Sequence, residues 1–303
     1  MTRAFLFPGQ GAAIERSAAE WSARSVNVRR LMGVAAREAR VDRDELFALG
    51  GRALARTELL QPALTGLCLG IHLDLVERGV QPDLVAGHSL GEVAACAASG
   101  LFSPEDAIAL AAERGRLMAR QASRHPGGMV VTDVEEAEVR RAVTDADRCG
   151  FAAVAAFNSP SQIAVSGNRA SLARVRELIG TTSLGISGPW HSPAMAGAVG
   201  ELRNRVGSLA LAPLRCPLIS NRTGDIVERV EGIPSLLAEQ LTHPVQWVRS
   251  MQTLVRIRVT EVLTIGPAKI LRGLVRDCVG HALRVRPIES PEALDAWAKV
   301  SPA

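Results

Sequence analysis

Tyrosine is absent from this 303-residue chain, and aromatic residues together make up only 3% of it. Base-stacking surfaces need aromatic platforms, so the scarcity argues against a nucleic-acid binder. Dense Lys/Arg runs are missing too, although 35 basic residues against 31 acidic ones leave a net charge of +4, carried almost wholly by arginine. That balance fits an acidic partner or an anionic substrate as well as a plain solvated surface. The five cysteines, Cys68, Cys96, Cys149, Cys216 and Cys278, are scattered, odd in number and without CxxC spacing. This argues against disulfides and zinc, and for a reducing cytoplasm, with the thiols serving as small buried hydrophobes. The apolar start, Ala4–Phe7, is too short for a signal peptide, and no segment reads as long and apolar enough to span a membrane.

What is present is an ordinary globular composition, 47% hydrophobic and 22% charged, whose core must rest on Ala, Val, Leu and Ile. The most informative segment is Gly87-His88-Ser89-Leu90-Gly91. Pro82–Ala86 before it reads as a short buried strand, and Glu92–Ser99 after it as a helix of small residues. Strand, sharp turn and helix are the context in which GxSxG exposes a nucleophilic serine. The flanking glycines permit the strained turn, and Ser89 comes to stand at a helix N-terminus, where free N–H groups can stabilise an oxyanion.

Strand-like and helix-like segments alternate through the first part: a strand at Ala4–Phe7, helical patterning over Ala18–Ala39 and Pro62–Arg78, a strand at Leu84–Gly87 and a helix over Ala107–Ala122. Ser103-Pro104-Glu105-Asp106 starts that last helix with an N-cap, a proline at N1 and acids in the first turn. This alternation predicts a mostly parallel sheet covered by helices. After His125-Pro126-Gly127-Gly128 the order becomes strand 129–134, helix 135–146, strands 151–158 and 162–167, helix 171–179 and strand 183–187. That βαββαβ order is the ferredoxin-like split unit. The expected fold is therefore α/β: a large hydrolase-like parallel-sheet domain, residues 1–125 and 189–303, with a small ferredoxin-like domain inserted at 126–188. Further elements are expected at 193–208, 218–221, 234–240, 245–255, 261–265 and 268–279, with a frayed end at Ser301–Ala303.

A serine nucleophile needs a base. Of the six histidines, His88 adjoins Ser89 but points away on such a turn, and His72 lies in an apolar helical pattern. His125 and His281 lack supporting context, and His243 precedes Pro244 at a helix start. His191 stands in the rigid small-residue loop Gly188-Pro189-Trp190-His191-Ser192-Pro193, directly after the inserted unit, where domain boundaries form pockets. Local sequence leaves it open between a general base and a cap on the following helix.

The chain resembles the malonyl-CoA:acyl-carrier-protein transacylase family, which includes the acyltransferase domains of polyketide synthases. The likeness spans nearly the whole length. It rests on Phe7-Pro8-Gly9-Gln10-Gly11, Gly87-His88-Ser89-Leu90-Gly91-Glu92, Glu113-Arg114-Gly115-Arg116-Leu117-Met118, Asn158-Ser159-Pro160, Trp190-His191-Ser192, Pro244-Val245-Gln246-Trp247 and Gly266-Pro267, in the family's order. The resemblance implies that Ser89 attacks an acyl-CoA thioester and His191 moves its proton. It makes the Gln10 and Leu90 N–H groups the oxyanion hole, and Arg114 the receptor of a malonyl carboxylate. It implies that a backbone carbonyl near Gln246, rather than an acid, orients His191, and that Asn158 and Gln246 line or brace the site. It further implies malonyl-CoA and an acyl carrier protein as partners, with no cofactor, metal, nucleic acid or membrane. A basic C-terminal face, Arg249, Arg256, Arg258, Lys269, Arg272 and Arg276, would steer the carrier protein.

Read locally, Arg114 is equally a surface residue of an Arg-rich helix; as a receptor, its guanidinium would match a carboxylate at two points. Two departures touch the site. The segment Ala12–Arg16 is shortened, which alters the CoA-side entrance, and the residue before His191 is Trp190. Its indole narrows the acyl pocket if it points inward and leaves it open if it turns away. The competing activity is a serine acyl hydrolase or thioesterase on carrier-bound acyl groups, with water as acceptor.

Overall fold

The structure is a computed structural model in which residues 2–11, 14–47 and 56–300 are described. The chain opens with strand β1 (Arg3–Phe7), followed by helices α1 (Glu15–Arg24), α2 (Val26–Ala39), α3 (Arg43–Phe47) and α4 (Thr57–Glu77). The single helical pattern expected over 18–39 is two helices. Ser25 leaves the helical region at φ −103°, ψ 124°, and its hydroxyl accepts from Val28 N–H at 2.9 Å, capping α2. Helix α4 corrects a second expectation. By length and composition it could cross a membrane, yet it is buried on nearly every side as the core helix packed against α2 and α6 (Pro104–Arg124). Hydrophobic all round is what a buried core helix requires.

Strand β2 (Leu84–Gly87) leads through Ser89 into α5 (Gly91–Ala98) and then α6. Ser103 caps α6 by accepting from Asp106 N–H at 3.0 Å, as its sequence predicts. Next come β3 (Gly128–Thr132), α7 (Glu136–Ala146), β4 (Ala152–Ser159), β5 (Gln162–Gly167), α8 (Arg169–Ile179) and β6 (Thr182–Ser183). These four strands form an antiparallel sheet in the order β4-β5-β3-β6, the ferredoxin-like arrangement. Helices α7 and α8 close a separate core on it around Val139, Val165 and Val175.

The chain then returns through α9 (Ala196–Gly207), α10 (Ile233–Glu239), α11 (Trp247–Arg256), β7 (Glu261–Ile265), α12 (Lys269–Val279), β8 (Arg284–Ile288) and α13 (Pro291–Val300). The first sheet is wholly parallel, in the order β2-β1-β7-β8. Its central strands β1 and β7 are buried almost end to end because helices cover both faces. The strand expected at 218–221 is reduced to two isolated bridges, Leu218 parallel to Val85 at the sheet edge and Ile219 antiparallel to Ile226. Strand β8, Arg-Val-Arg-Pro-Ile, was not expected; Pro287 is tolerated because β8 is an edge strand. Ala12, Ala13 and the expected frayed end Ser301–Ala303 lie outside the described residues.

Candidate active site

Ser89 sits between β2 and α5 with φ +52°, a left-handed conformation that costs a non-glycine residue energy. Its neighbours explain the glycines. A Cβ on Gly87 would overlap the backbone of Gly91, and one on Gly91 would overlap the Phe7 carbonyl. The turn is pinned from outside by Asn221, whose Oδ1 accepts the Ser89 N–H at 2.6 Å and whose Nδ2 donates to the Gly87 carbonyl. The next amide, Leu90 N–H, precedes the first turn of α5, where helix N–H groups lack intrahelical acceptors. The loop Pro8–Gly11 lies against this turn, since Gly9 abuts the His88 carbonyl. The Gln10 side chain anchors the loop by accepting from Thr57 Oγ1 at 3.1 Å.

His191 also has a positive φ, +56°. Its loop is fixed by Ser192 Oγ, which donates to the Pro189 carbonyl at 2.6 Å, and by Ser166 Oγ, which donates to the Trp190 carbonyl. Gly188 leaves room for the Trp190 indole, which is buried and lines the cavity. Ser89 Oγ and His191 Nε2 are 2.8 Å apart, and His191 Nδ1 lies 2.7 Å from the Gln240 carbonyl oxygen. A carbonyl only accepts, so Nδ1 carries the proton and Nε2 offers its lone pair to the serine hydroxyl. Both ring nitrogens are thereby engaged, and the reading of His191 as a helix cap drops out. The orienting carbonyl belongs to Gln240, not to a residue beside Gln246. Gln246 precedes α11, outside the cavity lining, and donates its N–H to the Asn221 carbonyl at 2.8 Å. It braces Asn221 and does not line the site.

Arg114 is 2% exposed, unlike Arg116 and Arg120 on the same helix, which pair with Glu113 and Glu201 at the surface. It lies behind Ser89, outside the cavity wall proper. Its Nη2 donates to Ser89 Oγ at 3.3 Å and to Gln240 Oε1 at 2.7 Å, and its Nη1 donates to Gln61 Oε1 at 2.8 Å. Asn158 lines the cavity; it accepts from His88 Nε2 at 2.9 Å and donates to Gln162 at 3.0 Å. His88 packs its ring edge-on against Trp247, a positioning role. The cavity in front of Ser89 and His191 has a volume of about 290 Å³ and mostly apolar walls. A family model, the acyl transferase domain, matches residues 4–268. The chain belongs to this family.

The acyltransferase is 31% identical to the malonyl CoA-acyl carrier protein transacylase of Bacillus subtilis over 96% of its own length and 95% of the relative's. The structure of the malonyl-CoA:acyl carrier protein transacylase from Xanthomonas oryzae pv. oryzae superposes with a TM-score of 0.90 at 31% identity, covering 99% of each chain. A malonyl-transacylase solved in complex with a type II polyketide-synthase acyl-carrier protein superposes at 0.91 with 26% identity, covering 99% of this chain and 100% of that one.

Burial dominates the electrostatics of the acyltransferase site. It lowers the His191 pKa to about 3, with the Arg114 charge adding to the effect, so the resting imidazole is a neutral base. Burial also pushes the Glu92 carboxyl up to about 7, and brings Arg114 down to about 10 against the pull of Glu92. Glu92, Gln240, Asn221 and Gln61 are the residues that sequence reasoning passed over. Glu92 carried a signal, being an acid in the first turn of an otherwise apolar helix. Gln240, one glutamine just past the end of α10, carried none. On the C-terminal face Arg256 is paired with Asp225 and Arg272 with Glu289. Arg249, Arg258, Lys269 and Arg276 are exposed and form no ion pair among the described residues. Among the described residues no group of three or more His, Cys, Asp or Glu side chains is placed to hold a metal ion.

Proposed function

We propose that this acyltransferase moves a malonyl unit from CoA to the phosphopantetheine thiol of an acyl carrier protein through an ester on Ser89. The observation that carries the residue roles is the line Gln240 carbonyl, His191, Ser89 Oγ, with Arg114 3.3 Å from the same Oγ. Ser89 Oγ attacks the thioester carbon while His191 Nε2 takes its proton. The carbonyl oxygen becomes an oxyanion facing the Gln10 and Leu90 N–H groups. On collapse the C–S bond breaks and the CoA sulfur leaves with the proton from His191. In the second half the carrier thiol gives its proton to Nε2 and attacks the ester. The Ser89 oxygen leaves and recovers the proton, so neither half consumes an external acid or base. Arg114 receives the acyl carboxylate, and Trp190 and Asn158 shape the pocket.

The proposal keeps the division at residues 126–188, with the inserted unit forming the far wall of the cavity. It places the protein in the cytoplasm, a reading supported by five cysteines that are all free thiols. It assigns carrier-protein steering to the exposed Arg249, Arg258, Lys269 and Arg276. The test is intact-protein mass spectrometry after mixing with a panel of acyl-CoAs, then with holo carrier protein. Malonyl-CoA should load Ser89, and added carrier protein should take up the malonyl group. Release of free malonate, unchanged by carrier protein, would favour the hydrolase instead.

A further inference from the structure

Arg114 is a buried cation with no carboxylate in contact among the described residues. Its three hydrogen bonds go to neutral oxygens, of Gln61, Gln240 and Ser89. Buried charges are ordinarily paired directly. Here the nearest buried acid, Glu92, is 2% exposed and is held one residue away. Its Oε1 accepts from the Asn221 N–H at 2.9 Å, and its Oε2 accepts from Gln240 Nε2. The Gln240 amide therefore stands between cation and anion. Its Nε2 faces two acceptors, Glu92 and, at 3.0 Å, the Ser89 carbonyl, which leaves Oε1 for Arg114. With acceptors on one side and a guanidinium on the other, only one orientation of the amide satisfies every group.

We infer that the Gln240 side chain is a specificity-determining positioning residue. It aims Arg114 at Ser89 Oγ while holding Glu92 out of contact, so that the guanidinium charge stays free for the carboxylate of the acyl group. This rests on the reading of Arg114 as the acyl-carboxylate receptor. It adds a device that the receptor needs. A direct Glu–Arg pair would be the easier way to bury the cation, and it would occupy the site that the substrate must fill. The same residue's carbonyl orients His191, so one position ties the proton-transferring group to the charge receptor. A glutamine at 240 separates a guanidinium from a carboxyl group, and the guanidinium's charge fixes which way it faces.

The experiment sets malonyl-CoA against acetyl-CoA in competition and reads the ratio of their kcat/KM values. That ratio does not depend on the fraction of enzyme that is folded. Two variants are compared with the wild type. Gln240→Glu puts a carboxylate directly on Arg114. The double variant Glu92→Gln/Gln240→Glu restores the number of buried acids and the donor–acceptor chain from residue 92 through 240 to Arg114, with the negative charge now in contact with the guanidinium. The expected result is a ratio lowered roughly tenfold or more in both, since a charge pocket already filled loses its preference for a charged group. The double variant should recover thermal stability relative to the single one without recovering the ratio. A wild-type ratio in the double variant would show that hydrogen bonding alone matters at 240 and would overturn the inference. Loss of both substrates in equal proportion, or failure of both variants to fold, would assign Gln240 to folding and overturn it too. Arg114→Ala is the control. An unchanged ratio there sinks the receptor reading itself, whereas a changed ratio there with an unchanged one in Gln240→Glu sinks only this inference.

Discussion

On one side, at and behind the cavity wall, the parallel sheet and its helices bring Ser89, Arg114 and the Gln240 carbonyl, each hydrogen-bonded to another residue of the site. On the other side the antiparallel sheet brings Met129, Ala156 and Ala164, apolar and without a proton to move, with the hydrogen-bonded amides of Asn158 and Gln162 as its polar contributions. His191 comes from the loop that returns from the second sheet to the first. The contrast separates two tasks. Chemistry requires fixed distances and is built where a strained turn and a helix start are locked from several directions. Acyl shape requires a surface that can vary, and is built on strands whose side chains alternate in and out of the cavity. Substitutions of Ser89 and His191 should change the rate for every acyl group, substitutions of Arg114 and Gln240 the preference for a charged one, and those on the second side the preference for acyl size.

The largest effect expected is from Ser89→Ala, which removes the attacking atom. Covalent acyl loading, followed by intact mass, should vanish while the thermal transition stays cooperative; an acylated alanine variant would move the nucleophile elsewhere. Next is His191→Ala, with a loss of roughly 10²–10⁴-fold or more in loading rate, because base and nucleophile act as a unit. Turnover within a few fold of wild type would transfer the role to another histidine, His88 first. On the opposite wall, Leu184→Ala widens the cavity where the side chain is already 37% exposed. Larger acyl groups should gain by about tenfold relative to malonyl, in line with the worth of a methylene or so in an apolar pocket. A comparable fall for all substrates would erase the distinction between the two walls. The smallest effect is expected far from both. Lys269→Glu with Arg276→Glu should raise KM for carrier protein several-fold and weaken its salt dependence, leaving loading from CoA in place. Equal losses in both half-reactions would place these residues on the CoA path.

Much of the chemical side was legible in the sequence, because strained turns demand particular residues. Gly87 and Gly91 are where they are because backbone passes within a Cβ of them, and that constraint is written locally. The antiparallel unit was legible from its element order. The two-helix break at Ser25 was hidden because its apolar pattern continues across the cap. Strand β8 was hidden because an edge strand of alternating Arg and Val reads as polar loop. The buried network was least legible. Gln240 and Asn221 act through partners more than 100 residues away, and a glutamine or asparagine carries no charge or periodicity to betray that it is buried.

Selection of a carboxylate-bearing acyl unit rests on Arg114, and one measurement tests this directly. It is kcat/KM for malonyl-CoA and for acetyl-CoA, in the wild type and in Arg114→Ala. In the wild type an acetyl group leaves the buried guanidinium without a countercharge, whereas malonyl supplies one. Arg114→Ala should slow malonyl transfer strongly, spare or improve acetyl transfer, and narrow or invert their ratio. The same ratio in both proteins would contradict the account.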